Sequence, residues 1–231
     1  MNKKGGDRLN FRHEVKFEIT QGDLLILRNR LRAVATPDMY ARNGVYYIRS
    51  LYFDTPFDSA LREKADGVNE REKFRLRYYN GDNSLIKLEK KSKINGLCQK
   101  KSTLISPELA GKIASGEKSA LQGESDALLC EFYTKTKTRL LLPKTLVDYT
   151  REPFIFPAGN VRVTFDYNIR TGLYCTDFLD PDCITVPAAP GFVLMEVKYD
   201  EFLPDIIRDA VFCGGRRVGA FSKYAACRIF G

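Results

Sequence analysis

Residues 71–93 read REKFRLRYYNGDNSLIKLEKKSK, and this stretch predicts the centre of the fold. Successive side chains of a β-strand point to opposite faces, so residues two apart share a face. Within residues 71–78 one face then carries only the cations Arg71, Lys73, Arg75 and Arg77, and the other carries Phe74, Leu76 and Tyr78. The residues Asn80–Asn83 are typical of a tight turn, so the stretch predicts an antiparallel hairpin with strands at 71–80 and 84–93.

The same alternation of charged and apolar side chains recurs along other predicted strands. The charged faces are Arg12, Glu14, Lys16 and Glu18 in residues 11–19; Lys87, Glu89, Lys91 and Lys93 in residues 84–93; Arg162, Thr164 and Asp166 near 161–166; and Glu196 and Lys198 near 193–198. An ordinary amphipathic sheet turns a mixed polar face to water, whereas these faces are almost uniformly charged. Four cations in a row, about 7 Å apart, repel one another. A bound polyanion would remove that repulsion.

The remaining sequence predicts an α+β fold built on an antiparallel sheet. The predicted strands are 11–19, 45–54, 71–80, 84–93, 97–105, 145–152, 161–170 and 192–200, and the predicted helices are 21–34, 56–65, 107–141 in two pieces, 203–212 and 219–229. About eight strands can close into a barrel. We therefore expect a closed antiparallel barrel with a charged lumen, flanked by helices. Residues 11–231 are expected to form this single domain, and residues 1–10 a flexible tail.

The composition indicates a basic globular protein with an anionic partner. Lys and Arg number 37 against 29 Asp and Glu, a formal net charge of +8, and 44% of the residues are hydrophobic. No apolar stretch approaches the roughly 20 residues of a membrane span, and no secretory signal opens the chain, so a cytoplasmic protein is expected. The six cysteines form no CxxC pair, which predicts reduced thiols rather than a zinc site. No nucleic-acid-binding motif is present, so no specific nucleic-acid partner is expected.

Eight short motifs follow one another along the chain. They are RHEVKF at 12–17, SLYFDT at 50–55, KFRLRY at 73–78, LEKK at 88–91, YTREPF at 149–154, RVTFD at 162–166, MEVK at 195–198 and SKY at 222–224. In this order they resemble the VTC domain, the polyphosphate polymerase domain of the vacuolar transporter chaperone family. That family belongs to the triphosphate tunnel metalloenzymes, a CYTH-like superfamily. The resemblance covers essentially the whole chain after residue 10.

The resemblance implies a polyphosphate polymerase. In such an enzyme a basic tunnel holds a phosphate chain, and the terminal phosphoryl group of ATP is transferred to growing inorganic polyphosphate with release of ADP. It also implies a divalent metal, with Mn²⁺ the expected ion and Mg²⁺ the alternative. ATP, polyphosphate, and phosphate or pyrophosphate are the expected small-molecule partners. A membrane partner protein that takes up the product, and the oligomeric state, stay open.

Matched motif by motif, the resemblance assigns a role to individual residues. The catalytic set is Lys16, Arg75, Arg77, Lys91, Arg151 and Arg162. The expected substrate contacts are Lys100, Ser222 and Lys223, to which the charged strand faces add Arg12, Lys73 and Lys198. Glu196 resembles the metal-binding carboxylate. Lys101 matches the motif as well as Lys100 does, and Glu14, Glu18 and Glu89 are expected to pair with cations of the lumen. His13 has the outward parity of its strand, so no catalytic role is expected for it.

One position departs from the wider superfamily. Related hydrolases and cyclases open with Glu-x-Glu-x-Lys, whereas this chain has Arg12 at the first position. The change removes an acidic metal ligand and adds a cation, which suits a long polyanion better than a small triphosphate. Two alternatives remain open: a tripolyphosphatase or nucleoside triphosphatase on the same tunnel, and a non-catalytic polyphosphate-binding module.

Overall fold

The computed structural model describes residues 12–95, 97–216 and 218–229. Within these residues the strands are β1 (His13–Ile19), β2 (Thr36–Pro37), β3 (Tyr46–Asp54), β4 (Arg71–Tyr79), β5 (Asp82–Ile94), β6 (Leu97–Ile105), β7 (Leu142–Phe156), β8 (Val161–Thr171), β9 (Val186–Pro187) and β10 (Val193–Tyr199). The helices are α1 (Gln21–Val34), α2 (Ser59–Ala65), α3 (Pro107–Ala114), α4 (Ala127–Thr138), α5 (Asp205–Ala210) and α6 (Lys223–Cys227). The predicted tail at 1–10 lies outside the described residues. None of the described helices combines the length and the apolar character that a membrane crossing requires.

The strands form one antiparallel sheet that curls into an open half-barrel. Its eight main strands follow the order β1-β10-β8-β7-β3-β4-β5-β6, while the short β2 pairs with β7 and the short β9 with β8. The predicted α+β class and the antiparallel pairing are therefore confirmed.

The predicted closed barrel is wrong, because the two edge strands do not pair. In the described part of the chain no ladder joins β1 to β6. Part of the free edge of β1 is occupied instead by the segment near Val218, which bridges to β1, and the amide of Gly219 donates to the carbonyl oxygen of Lys16 at 2.9 Å. That segment takes hydrogen-bonding groups which β6 would need for closure. Side chains span the seam, where Lys91 Nζ lies 3.0 Å from each carboxylate oxygen of Glu14.

The central hairpin forms as predicted but with a shorter turn. Only Asn80 and Gly81 separate the strands, since Tyr79 pairs directly with Asp82. Both turn residues have positive φ, 56° for Asn80 and 72° for Gly81. A two-residue turn of this kind matches the right-handed twist of the strands, and Asn-Gly is the preferred pair for it.

Most of the predicted helices are present, with differences at their ends. Helix α1 has the predicted bounds, and Thr20 caps it: Thr20 Oγ1 accepts from the Asp23 amide, and Asp23 Oδ2 accepts from the Thr20 amide. The region 107–141 contains α3 and α4, and β7 then begins at residue 142, earlier than the predicted 145. The two C-terminal helices are shorter than predicted, because they span only 205–210 and 223–227.

The apolar faces of the sheet pack under helices on the convex side. One cluster joins β4 and β5 to α3 and α4 around Phe74, Leu88 and Phe132. A second cluster joins β8 and β10 to α1 and α5 around Leu27 and Val163. Each such side chain contributes roughly 1.5–3 kcal/mol when fully buried. This packing leaves the opposite, concave face for the charged side chains.

Candidate functional site

The concave face carries the row of cations on β4. Arg75 Nε donates to Glu89 Oε2 at 2.8 Å, and its Nη1 donates to Tyr52 Oη at 2.8 Å. Two residues further along, Arg77 Nε donates to Ser50 Oγ at 3.0 Å. The alternate residues of β4 lie in the apolar cluster on the convex side. The facing predicted from the alternation of β4 is therefore confirmed.

Glu89 is the carboxylate around which three cations gather. It is only 2% exposed. Its Oε2 lies 2.7 Å from Arg75 Nη2 and 3.7 Å from Arg77 Nη1, and its Oε1 contacts Lys100 Nζ. Burial alone would raise the pKa of this carboxyl, but Arg75, Arg77 and Lys100 hold that pKa well below its usual range. Glu89 is thus ionised at neutral pH and acts as the counterion that the sequence predicts.

The register of β6 decides between Lys100 and Lys101. Lys100 stands opposite Lys91, and its ammonium group contacts Glu89 on the concave face. Lys101 stands opposite Lys90, whose ammonium group reaches helix α4 on the convex side. Lys100 is therefore the one that belongs to the site.

A second group of cations surrounds Glu196 and Asp166. The cations within reach of the Glu196 carboxylate are Lys198 at 2.9 Å, Lys16 at 3.3 Å, Lys223 at 3.5 Å and Arg151 at 3.8 Å. Asp166, fully buried, accepts two bonds from the Arg151 fork at 2.6 and 2.7 Å and lies 2.5 Å from Lys223 Nζ. Burial opposes ionisation of both carboxyls, yet the adjacent cations lower both pKa values.

Glu14 links this second group to the opposite edge of the half-barrel. Its carboxylate lies 3.1 Å from Lys16, 3.0 Å from Lys91 and 3.8 Å from Lys198. Burial would raise the pKa of Glu14, but Lys198, Lys16 and Lys91 together lower that pKa to about 2. Since Lys91 belongs to β5 and Lys16 to β1, this one carboxylate connects the two sides of the open seam.

Two tyrosines of the site are functional candidates to which the sequence analysis gave no role. Tyr52, 3% exposed, bonds Arg75 and lies 5.5 Å below the ammonium group of Lys73. Its burial raises the pKa of the phenol, but the nearby cations outweigh burial and bring that pKa to about 7. Tyr149 accepts a bond from Arg77 at 3.0 Å, and its ring faces the ammonium group of Lys223 at 4.8 Å. Strand parity could have found Tyr52, because it lies two residues from Ser50, which bonds Arg77.

Helix α6 brings Lys223 to the site, and contacts of Tyr224 with β3 hold the helix in place. Tyr224 Oη donates at 2.9 Å to Asp54, a fully buried carboxylate, and the Tyr224 ring stacks on Tyr52 with 5.0 Å between centroids. Ser222 Oγ caps the helix by accepting from the Ala225 amide at 3.3 Å. The predicted phosphate contact of Ser222 stays a prediction, and its observed role here is that cap.

Other predicted residues lie nearer to solvent or away from the site. Arg162 is on the concave face but pairs with Asp38 at 3.0 Å, and Arg12 pairs with Asp200 at 2.8 Å. Glu18 is exposed and makes no ion pair with any described residue, so its predicted pairing is wrong: the strand end that carries it lies outside the cation cluster. His13 is exposed and stacks on Tyr199.

Eight of the predicted site residues thus converge on one surface that has a surplus of positive charge. Eight cations each contact at least one of four carboxylates, so the cluster has a net surplus of four positive charges; the cations are Lys16, Arg75, Arg77, Lys91, Lys100, Arg151, Lys198 and Lys223. A cavity of about 330 Å³ opens beside them, lined in part by Lys16, Lys73 and Lys91. Arginine forks and lysine ammonium groups are the side chains that bind phosphate oxygens best. The arrangement suits a polyanion.

The carboxylates of the site suit a metal ion that is coordinated partly by substrate phosphates better than one coordinated by protein side chains alone. Among the described residues no group of three His, Cys, Asp or Glu side chains is placed to hold an ion. Glu196 and Asp166 share Lys223, and the buried hydroxyl of Thr164, opposite Glu196 in the sheet, has no hydrogen-bond partner. Mg²⁺ usually binds through one or two carboxylates together with substrate phosphates and water. Glu196, with Asp166 beside it, would provide those protein ligands.

Lys73 has a lowered pKa because its surroundings disfavour the charged ammonium form. Burial is the largest cause, and Arg75, Lys91 and Lys16 add to it, so that the pKa of Lys73 falls from 10.5 to about 8. The loss of folding stability caused by burying this charge is fully present below about pH 8, the pKa in the folded protein. It disappears as the pH rises to 10.5, the pKa in the unfolded chain. We expect Lys73→Met to raise the free energy of unfolding at pH 7 by about 2 kcal/mol, with a smaller gain at pH 10, in urea titrations.

The control for this prediction is Lys101→Met, an exposed lysine on the other face of the sheet. It should leave the free energy of unfolding nearly unchanged at both pH values. A Lys73→Met variant that is no more stable than wild type at pH 7 would contradict the prediction.

The chain is similar, at low sequence identity, to solved structures from several organisms. A candidate adenylate cyclase from Bacillus halodurans is 12% identical, with a TM-score of 0.49, and the match covers 80% of this chain and 78% of that one. The capping-enzyme triphosphatase of Mimivirus is 11% identical, with a TM-score of 0.41, and the match covers 84% and 82% of the two chains. No curated protein sequence matches the chain. The sequence also fits a protein-family model, that of the VTC domain, over residues 11–229, and the chain therefore belongs to the VTC domain family.

Proposed function

We propose that the protein is a polyphosphate polymerase that transfers the terminal phosphoryl group of ATP to a growing inorganic polyphosphate chain. The observation that carries the proposal is the convergence of eight cations, from β1, β4, β5, β6, β7, β10 and α6, on four carboxylates of one concave surface. Membership of the VTC domain family supports a substrate made of linked phosphates.

Phosphoryl transfer requires positioning and charge neutralisation more than covalent chemistry by the protein. Arg75 and Arg77 both contact Glu89, Arg151 pairs with Asp166, and Arg77 and Arg151 both lie over the ring of Tyr149, at 5.7 and 5.5 Å. We propose that these three guanidinium groups exchange part of their carboxylate contacts for oxygens of the transferring phosphoryl group. Lys16, Lys198 and Lys223 would hold the neighbouring phosphates. A divalent metal bound at Glu196 would offset further negative charge on the phosphate oxygens.

The attacking group in this proposal is a terminal oxygen of the polyphosphate chain. It attacks the γ-phosphorus of ATP, the bond from that phosphorus to the β,γ-bridging oxygen breaks, and ADP leaves while the chain gains one phosphate. Such an oxygen is already ionised near neutral pH, so no strong general base is needed. This agrees with the exposed position of His13, the only histidine of the chain.

The test is an assay of the products formed from γ-labelled ATP and a short polyphosphate primer, with Mn²⁺ or Mg²⁺. The proposal predicts ADP together with labelled chains that lengthen with time on a gel, and loss of both when a chelator is added. Free labelled phosphate in amounts equal to ADP, without labelled chains, would identify a triphosphatase instead. Tight polyphosphate binding with no turnover would identify a binding module.

A further inference from the structure

Four cations line the cavity without an ion-pair partner. Lys64 lies on α2, Arg71 and Lys73 on β4, and Lys93 on β5. None of the four makes a salt bridge with any carboxylate of the described residues, and Arg71 donates only to the carbonyl oxygen of Val68, at 2.6 Å. We refer to Lys64, Arg71, Lys73 and Lys93 as the outer section. The site described above, where each of the eight cations contacts a carboxylate, is the inner site. The outer section differs from it in having no such contact.

The two carboxylates that line the cavity beside the outer section are already engaged. Glu14 and Glu72 line the same cavity. Glu14 is held by three lysines of the inner site. Glu72 is held by Lys90 at 2.7 Å and also contacts Lys135, both away from the outer section. Glu63 on α2 interacts electrostatically with Arg71 but forms no ion pair with it. No described carboxylate therefore forms an ion pair with the outer section, and its positive charge is available to a ligand.

The outer section continues the inner site in one direction. Arg71 stands opposite Lys93, and Lys73 opposite Lys91, with Arg75 opposite Glu89 next in the same row. From residue 71 to residue 77, the row of cations on β4 extends for about 20 Å at the usual strand rise. Opposed side chains of this kind lie about 5 Å apart, close enough to repel one another when both are charged. A ligand that removes this repulsion must be anionic along its length.

The pKa of Lys64 supports the same conclusion. Burial lowers it first, and Arg71, Lys16 and Lys93 lower it further. The lysine on α2 thus senses cations of β1, β4 and β5 at once. Lys64 also lines the cavity, together with Lys16, Arg71 and Lys93.

We propose that the outer section binds the phosphates of a linear chain that extend beyond the inner site, so that this protein holds long polyphosphate more tightly than tripolyphosphate. The inference rests on the proposed function and adds a direction to it: the chain leaves the inner site along β4 and β5 toward α2. A triphosphate is too short to fill both sections. Each further phosphate of a longer chain meets a cation that has no competing carboxylate.

The experiment compares the Kd of tripolyphosphate with the Kd of a size-fractionated polyphosphate several times longer, by calorimetry on the full chain. The test variant combines Lys64→Ala, Arg71→Ala and Lys93→Ala. The control combines Lys101→Ala, Lys112→Ala and Lys137→Ala, which removes the same charge from exposed lysines outside the cavity lining. Because none of the three outer residues pairs with a carboxylate, their removal leaves no carboxylate unpaired, and circular dichroism should confirm a folded protein.

In the test variant we expect the Kd of tripolyphosphate divided by the Kd of the long chain to fall at least tenfold. One charge-assisted contact is worth roughly that much in affinity. The control variant should keep the wild-type ratio. A long chain can bind in more registers than tripolyphosphate, but this statistical advantage is the same in all variants and cancels when their ratios are compared. An unchanged ratio in the test variant, or an equal fall in the control, overturns the inference while the inner site stands. If wild type binds neither ligand, the proposed function fails as well.

Discussion

Replacing Arg75 with alanine is expected to lower the rate of phosphate-chain formation by about 10³-fold or more. Arginines that neutralise charge on a transferring phosphoryl group contribute factors of this size. All three guanidinium nitrogens of Arg75 are engaged in the inner site, because two of them hold Glu89 at 2.7 and 2.8 Å and the third bonds Tyr52. The measurement is the initial rate of labelled chain synthesis under saturating ATP and metal.

The same substitution should cost some stability without unfolding the protein. Glu89 stays buried, but it keeps Arg77 at 3.7 Å and its contact with Lys100. We therefore expect a loss of about 1–3 kcal/mol in the free energy of unfolding. The cost arises because the Arg75 fork is the main partner of this buried carboxylate.

The matched control is Arg49→Ala. Arg49 pairs with Asp148 through two nitrogens, at 3.1 and 2.9 Å, on the convex side of the same sheet. Its removal should cost a comparable amount of stability and leave chain synthesis near the wild-type rate. Normal synthesis by a folded Arg75→Ala variant would remove Arg75 from the catalytic set.

Replacing Glu196 with glutamine is expected to have the second largest effect, on stability and on metal response together. Four cations contact this carboxylate, and only Asp166 and Glu14 would remain to balance them. Loss of one partner from a buried ionic group costs about 3–5 kcal/mol. We expect a loss of that size in urea titrations in phosphate-free buffer, and loss of metal-dependent chain synthesis.

Added tripolyphosphate should reverse much of the stability loss in Glu196→Gln, because its oxygens replace the missing negative charge. Stabilisation by a ligand grows with the ratio of its concentration to its Kd, so the melting temperature should rise further in the variant than in wild type. The control is Glu152→Gln, a buried carboxylate that pairs with Arg28 on the convex side at 2.9 Å. Its stability loss should not respond to tripolyphosphate. Unchanged metal dependence in a folded Glu196→Gln variant would exclude the metal role.

Local sequence patterns predicted much of the fold. The alternation at 71–78 correctly predicted which residues of β4 face the core and which face the site. The Thr20 cap and the apolar spacing that follows it predicted α1 to the residue. Asn80 and Gly81 predicted the hairpin, because few residue pairs adopt positive φ at both turn positions. These features depend on residues close together in the chain.

The closure of the sheet could not be predicted in the same way. Counting strands suggested a closed barrel, but closure depends on whether β1 and β6 meet, and these strands lie more than 75 residues apart in the sequence. Residues 218 and 219 take part of the β1 edge instead. The ends of α5 and α6 were also misplaced, since their short length depends on contacts with the sheet rather than on intrinsic helix propensity.

The composition of the site shows the same division. The cations were found from strand parity and from the resemblance to the VTC domain, and Glu14 and Glu89 were expected to pair with them, but the individual pairs were not assigned. Only the folded chain shows that Glu89 serves Arg75, Arg77 and Lys100, or that Tyr52 lies beneath Lys73. The ion-pair partner of a side chain depends on distances between neighbouring strands. A shift of the strand register by one residue would move each of these side chains to the other face of the sheet.

The sequence by itself determined the strands, the faces on which their cations lie and the family of the chain, because a period of two residues and a set of ordered motifs are properties of the chain alone. Tertiary structure decided which cations have counterions and which lack them. The reason is that ion pairing depends on distances between segments that are remote in the sequence, and these distances exist only once the sheet has curled. The contrast between the paired inner site and the unpaired outer section is therefore a property of the fold.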